Sequence, residues 1–122
     1  GHIVALCNPT SGSIGRMTKK ILTSAGILNE VMANTAFLTT DSRNLTKAIK
    51  EGEADIVINW QAPGYWPENR DYVDILPLPE EIAPKKELIL NVLTFSTEPE
   101  LAKDFLEYTG IIGRDVFESF GF

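Results

Sequence analysis

Apolar and polar positions along the first part of the chain repeat with two different periods. The run Ile3–Cys7 is continuously apolar and predicts a buried strand. From Ser13 to Ala25 the apolar residues recur at intervals of three and four, which predicts a helix with one inward face. Gly26 follows as a C-terminal stop signal. The inward positions of this helix are Ile14, Met17, Ile21, Leu22 and Ala25.

The same rhythm continues to residue 60. Ile27–Met32 predicts a short helical turn, and Ala36–Leu38 predicts a short strand. Thr39–Ser42 supplies N-cap chemistry for a second helix, which ends at Gly52. The apolar run Ala54–Trp60 predicts a strand buried on both faces, hence central and parallel to its neighbours. The alternation of strands and helices predicts an α/β fold with an open, mostly parallel sheet flanked by helices.

Prolines and glycines interrupt this pattern after residue 60. Gln61–Tyr72 predicts a loop or a broken turn of helix. Val73–Pro79 and Glu87–Phe95 are apolar runs that predict two further strands, the first closed off by its prolines. A helix is expected to begin at Glu98–Glu100 and to end at Gly110, and a last short helix is expected near residues 113–119.

The stretch Asn8–Gly15 joins the first strand to the first helix and is the first candidate for chemistry. A helix start of this kind points unpaired backbone N–H groups and a partial positive charge at one spot, which suits an anion. Ser11 and Ser13 add hydroxyl donors, and Gly12 and Gly15 would let a ligand approach the backbone. The alternative is structural, with Ser13 as a simple N-cap in a shaped turn. Neither a Walker loop nor a dinucleotide fingerprint is present.

Three candidate places lie at the ends of predicted strands: Ser11–Gly15, Thr40–Arg43 and Asn59–Trp60. If the three strands are neighbours, these loops share one edge of the sheet, where open α/β sheets bind ligands. Two helix starts and an indole N–H would then offer uncharged donors to a tetrahedral oxyanion. Asp41 is expected to face the backbone N–H groups of its helix rather than the ligand. Packing for Trp60 and capping for Ser42 are the competing interpretations.

Composition narrows the classes of function. The 122 residues suit a single soluble domain, with 43% hydrophobic and 23% charged residues. A net charge of −6 argues against nucleic acid, and no segment has the length of a membrane helix. Cys7 is the only cysteine and His2 the only histidine, which excludes an internal disulfide, a histidine metal site and a catalytic triad. No pair of residues supports catalysis, so neither an enzyme nor a cofactor is predicted.

The order of these motifs resembles the periplasmic molybdate-binding proteins of ABC importers, in the type II periplasmic binding-protein superfamily. The resemblance spans the whole chain, but only against the second half of such a protein. The residues that carry it are Asn8-Pro9, Ile14-Gly15, the lysine-bearing helix ending in Ala25-Gly26, Glu51–Asp55 with the strand after it, and Phe117–Phe122.

The resemblance implies one lobe of a two-lobed protein that captures molybdate or tungstate for a membrane permease, outside the cytoplasm. It implies a ligand-binding lobe at residues 1–79 and a returning strand with C-terminal helices at residues 80–122. These helices are expected to pack on this lobe or on a first lobe. The first lobe and the signal peptide of such proteins are expected to be missing from this chain. The binding positions that the resemblance implies are Ile14, Ser42 and Trp60, beside Ser11 and Ser13 from the loop. Trp60 stands in place of a tyrosine, and Asn8 in place of an aspartate.

Three alternatives stay open at this point. The same fold serves as the effector-binding sensor domain of transcription regulators, and it also binds other small anionic solutes. An enzyme fragment that holds a phosphorylated substrate on the Ser11–Gly15 loop ranks last. A homodimer is a further expectation, because an apolar C-terminal set with no first lobe to cover it favours association.

Overall fold

The computed structural model describes all 122 residues and contains one sheet with five helices. Its three strands are parallel and lie in the order β2-β1-β3, which confirms the predicted open α/β architecture. The elements in chain order are β1 (Val4–Cys7), α1 (Ser13–Ser24), α2 (Leu28–Ala33), β2 (Thr35–Thr39), α3 (Ser42–Lys50), β3 (Ile56–Val57), α4 (Ala62–Tyr65) and α5 (Pro99–Ser119).

The core is built around β1, whose residues Ala5, Leu6 and Cys7 are completely buried. Because side chains alternate along a strand, Ala5 and Cys7 share one face of the sheet and Leu6 lies on the other. The Ala5 and Cys7 face packs against apolar side chains from both long flanking helices and from the turn after α3. This cluster comprises Ala5, Cys7, Ile14, Leu45, Ala48 and Ala54.

The elements predicted before residue 53 are confirmed to within a residue or two. Helix α1 ends where Gly26 adopts a left-handed φ of 73°, and the turn after α3 contains Gly52 with a φ of 70°. Asp41 caps α3, as predicted, because its carboxylate accepts a hydrogen bond from the backbone amide of Asn44 at 2.9 Å. Cap chemistry and helical periodicity therefore sufficed to define this half of the fold.

The prediction of a central strand over Ala54–Trp60 is wrong. The middle strand is β1, and β3 is a two-residue edge strand whose Ile56 is 47% exposed. Pairing with β1 reaches only Val57, and two residues later Asn59 turns its side chain towards α3. An apolar run of this kind cannot by itself distinguish an edge strand from a central one.

The two strands predicted after residue 72 are also absent. The segment Val73–Pro79 packs Val73 and Ile75 over Gly64 of α4, and its prolines offer no N–H for a ladder. In Glu87–Phe95 no backbone amide donates a hydrogen bond to another backbone group, and Phe95 is 78% exposed. Neither run pairs with β2 or β3, the two edge strands of the sheet, so neither becomes a strand.

The prediction of a helix that ends at Gly110, followed by a second helix, is wrong as well. Helix α5 runs without a break from Pro99 to Ser119 through both Gly110 and Gly113. Neither glycine adopts the positive φ that terminates a helix, although each costs about 1 kcal/mol of helix propensity relative to alanine. Apolar residues on both sides of the glycines continue one helical face, and this continuity outweighs the local stop signal.

The first turn of α1 differs in detail from the expectation. Gly12, with a φ of 64°, occupies the N-cap position, and Ser13 is the first helical residue with no side-chain cap bond. Gly15 does not leave room for a ligand, because a Cβ atom there would lie 1.9 Å from the carbonyl oxygen of Asn8. The backbones of the loop and the helix are thus packed directly against each other.

The C-terminal third carries most of the uncovered apolar surface. The chain exposes 8976 Å² in total, against about 6,500 Å² for a compact protein of the same mass. Large apolar residues from the 73–95 segment and from α5 account for much of the difference, with Leu76 at 84% and Ile111 at 80% exposure. The division into residues 1–79 and 80–122 stays a prediction.

Gly15→Ala is expected to lower the free energy of unfolding by about 3 kcal/mol, because its methyl group overlaps the main chain rather than a movable side chain. Gly110→Ala is the matched control, since nothing lies within 4 Å of a Cβ atom there, and it should stabilise by about 0.5–1 kcal/mol. Urea unfolding of both variants measures the difference. Equal effects of the two substitutions would contradict the close approach.

Candidate functional site

The loops that follow the three strands lie together at one edge of the sheet. Because the strands are parallel neighbours, their carboxyl ends point the same way. The amide of Asn8 donates to the carbonyl of Thr39 at 3.0 Å, and a Cβ atom on Gly12 would lie 3.6 Å from the carbonyl oxygen of Thr40. The first loop therefore touches the second. We call this region, residues 8–14, 40–42 and 59–60, the carboxyl edge.

The first loop is held in shape by Asn8. Its side-chain oxygen accepts hydrogen bonds from the amide of Thr10 at 2.9 Å and from the Thr10 hydroxyl at 2.8 Å, while its carbonyl accepts from the amide of Ser11. The amides of Ser13 and Ile14 precede the hydrogen-bonded ladder of α1 and have no acceptor within the chain. The loop thus directs two uncommitted amide donors to the carboxyl edge.

The start of α3 contributes the backbone amide of Ser42 as a donor and the Asp41 carboxylate, which is already hydrogen-bonded to its own helix. The hydrogen bond from the backbone amide of Asn44 holds the pKa of the Asp41 carboxyl below its ordinary value of 3.8, helped by Thr40 and by the amide and charge of Arg43. The negative charge of Asp41 is therefore engaged with its own helix, as the sequence predicted. The amide of Ser42 occupies the first position of α3, ahead of its ladder.

Asn59 links the second loop to the third, a role that the sequence did not reveal although Asn59–Trp60 was one of the three candidate places. Its side-chain oxygen accepts from the Ser42 hydroxyl at 2.7 Å and from the amide of Trp60 at 2.9 Å. Its side-chain nitrogen donates to the Ser42 carbonyl at 3.0 Å and to the Thr46 hydroxyl at 3.1 Å. An uncharged polar residue near the end of a mainly apolar run was the available signal.

Trp60 combines a packing role with a free donor. Its ring is half-buried against the cluster that contains Cys7 and Ile14. Its indole N–H has no acceptor in the chain and is not closed off from solvent. The two interpretations of Trp60 are therefore not exclusive, because the packed ring also holds the N–H in place.

The structure thus places the five predicted residues along one edge, with different atoms available from each. Ile14 is buried, and the Ser42 hydroxyl donates its hydrogen bond to Asn59, so each of these two residues offers only its backbone amide. Ser13 is exposed and Ser11 half-buried, and neither hydroxyl is bonded within the chain. The carboxyl edge therefore presents uncharged N–H and O–H donors, with Arg43, the last residue of the second predicted place, directly beside it in the sequence.

A separate open groove of about 520 Å³ runs along the outer side of α3. None of the five predicted residues lines it. The Lys50 ammonium in this groove bonds the Asn69 side chain at 3.2 Å and lies 5.4 Å from the centre of the Tyr72 ring. This groove therefore does not coincide with the carboxyl edge, and we favour the edge because its helix-start amides converge from two elements.

Asp41→Ala is expected to lower the free energy of unfolding by about 1 kcal/mol at neutral pH, the usual cost of losing an N-cap. A folded-state pKa below the unfolded one means that the charge of Asp41 stabilises above about pH 4. This contribution is lost as the pH falls below 3.8 towards the folded-state value. Asp41→Asn, which keeps a capping oxygen, should retain the stability and lose this pH dependence. Urea unfolding between pH 2.5 and 7 tests both, and a pH profile shared by wild type and Asp41→Asn would contradict the assignment.

No group of three or more histidine, cysteine, aspartate or glutamate side chains comes together as a metal site would require. No helix has both the length and the apolar character needed to cross a membrane.

Comparison with known families gives one match. The family model for bacterial extracellular solute-binding proteins matches residues 1–122, which is the whole chain. Comparisons with curated proteins and with solved structures give no significant match. The family match agrees with the parallel sheet and with loops gathered at its carboxyl edge. The chain belongs to the family of bacterial extracellular solute-binding proteins.

Proposed function

We propose that this solute-binding protein captures a tetrahedral oxyanion such as molybdate or tungstate for an ABC importer and releases it unchanged. The observation that carries the proposal is the set of uncommitted donors at the carboxyl edge. These are the amides of Ser13, Ile14 and Ser42 and the indole N–H of Trp60, with the hydroxyls of Ser11 and Ser13 beside them.

The chemistry of the donors favours an oxyanion. Two helix starts place partial positive charges at the edge, and hydrogen bonds from neutral donors to a charged acceptor are about twice as strong as neutral ones. These neutral donors can therefore hold an anion even in a protein of net charge −6. The nearest carboxylate, Asp41, is turned onto the amide of Asn44 and does not compete.

The proposed partner is the membrane permease of an importer, and the proposed place of action is the periplasm or another extracytoplasmic space. The match to the extracellular solute-binding family supports both proposals. Binding without catalysis fits the residues as well. Cys7 is buried, and the only histidine, His2, lies near Asp55 at 3.9 Å on the surface rather than at the carboxyl edge.

Calorimetric titration of the purified protein with molybdate, tungstate and sulfate tests the proposal directly. Binding of at least one of them in the micromolar range is expected. Trp60→Phe should then weaken binding by about tenfold to a hundredfold, because a hydrogen bond to a charged group contributes about 1.5–3 kcal/mol.

Trp66→Phe is the matched control for this substitution, since Trp66 lines the groove beside α3 rather than the carboxyl edge. Its affinity should equal that of the wild type. Unchanged affinity of Trp60→Phe would reduce Trp60 to a packing residue. Failure of all three anions to bind would remove the oxyanion proposal.

A second copy of the chain is the partner expected for the outward apolar stripe of α5. The stripe consists of Leu101, Phe105, Tyr108 and Ile112, all of them exposed and spaced four, three and four residues apart. The surface exceeds that of a compact protein by roughly 2,400 Å², and a standard interface needs only about 800 Å² from each partner. The available area is therefore sufficient for a stable dimer.

Light scattering should show self-association that strengthens with added salt. Residues 73–122 carry ten acidic and four basic side chains, so two copies repel each other until salt screens the charges. Tyr108→Asp should return the protein to a monomer, whereas Leu76→Asp, an exposed site outside α5, should not. A monomer at high concentration and high salt would contradict the dimer.

A further inference from the structure

We propose that Asn59 is a positioning residue that sets the distance between the Ser42 amide and the Trp60 indole, and through it the affinity for the solute. This inference rests on the function proposed above. In this role Asn59 does not contact the solute. It acts through Ser42 and Trp60, which it holds together.

The hydrogen bonds of Asn59 use all of its capacity. An asparagine side chain has two donor hydrogens and an oxygen with two lone pairs. Here both hydrogens and both lone pairs are engaged, at 2.7 to 3.1 Å. The orientation of the amide is fixed by its partners, because the Trp60 N–H can only donate and the Ser42 carbonyl can only accept.

The partners of Asn59 belong to two different elements. Ser42 and Thr46 lie one turn apart on α3, and Trp60 follows the end of β3. Strand pairing between β1 and β3 stops at Val57, so no ladder hydrogen bond fixes the chain at residue 60. The side chain of Asn59 supplies this missing connection between α3 and the third loop.

The consequence is geometric. Ser42 directs its hydroxyl proton to Asn59, which leaves its backbone amide as the donor facing the carboxyl edge. The same side chain holds the backbone of Trp60, whose ring packs on the core and carries the indole N–H. Two donors from separate elements are thereby held at a constant spacing before a solute arrives, which reduces the ordering cost of binding.

Asn69 provides a matched control. Asn69 is a second asparagine beside α3 and is buried, whereas Asn59 is half-buried. It donates to the Pro63 carbonyl at 2.8 Å and accepts from Lys50 at 3.2 Å. It lies in the groove near the other end of α3 and touches no residue of the carboxyl edge. Its loss should cost stability without changing the edge.

The experiment uses Asn59→Leu and Asn69→Leu in a Trp66→Phe background, so that Trp60 is the only tryptophan. Quenching of its fluorescence by acrylamide, a neutral quencher, reports the exposure of Trp60 in the absence of any solute. Asn59→Leu should change the quenching constant by about twofold or more and weaken molybdate binding by about tenfold or more, the scale of one lost charge-assisted hydrogen bond. Asn69→Leu should lower the melting temperature while leaving both readouts unchanged.

Asn59→Asp separates position from charge. The carboxylate still accepts from the Ser42 hydroxyl and the Trp60 amide but can no longer donate to α3, so quenching should change less than in Asn59→Leu. Molybdate binding should nevertheless fall by about a hundredfold, because a negative charge now lies beside the anion. Thr46→Val removes one hydrogen-bond partner of Asn59 and should shift quenching in the same direction as Asn59→Leu. This variant replaces Asn59→Leu in the test if Asn59→Leu does not fold.

The outcomes distinguish this inference from the proposed function. Wild-type quenching in both Asn59→Leu and Thr46→Val would overturn the positioning role, whatever the affinity. Altered quenching in a protein that binds no oxyanion would remove the proposed solute and keep Asn59 as the link between α3 and the third loop. Equal losses of affinity in Asn59→Leu and Asn69→Leu would show an effect of stability alone and would also overturn the positioning role.

Discussion

The whole arrangement depends on a single four-residue strand with a parallel neighbour on each side. β1 pairs with β2 through Val4–Cys7 and with β3 through Val4 and Ala5. Its last three residues are completely buried, so the strand cannot shift without exposing the core. Parallel pairing on both sides is what brings three loops, from distant parts of the sequence, to one edge of the sheet. Loops joined by antiparallel strands would have been divided between two edges.

Local signals predicted the first half of the fold well. Helical periodicity, the Asp41 cap and the stop glycines after α1 and α3 act within a few residues of each other, and the structure contains the elements that they indicate. The predictions for the second half were wrong because a strand forms only where another strand pairs with it. Glu87–Phe95 has the composition of a strand, but its amides pair with no other strand. Gly110 was misinterpreted for a related reason, since the apolar face of α5 continues beyond it.

The candidate site was predictable in outline and not in its hydrogen bonding. The rule that ligands meet the carboxyl ends of parallel strands identified the loops, and helix starts identified the amides. What the sequence could not reveal is which polar atoms are already used. Ser42 was a candidate because of its position, yet its hydroxyl is bonded to a residue seventeen positions away. Long-range pairs of this kind depend on the relative placement of α3 and β3, which no local pattern contains.

The contact between Gly15 and the carbonyl of Asn8 has a mechanical consequence. With main chain against main chain, the first loop and the opening turn of α1 have no compressible side chain between them and must move as a rigid body. The spacing of the Ser13 and Ile14 amides is therefore fixed when the chain folds. Any movement of the chain bends at other places and leaves this spacing unchanged.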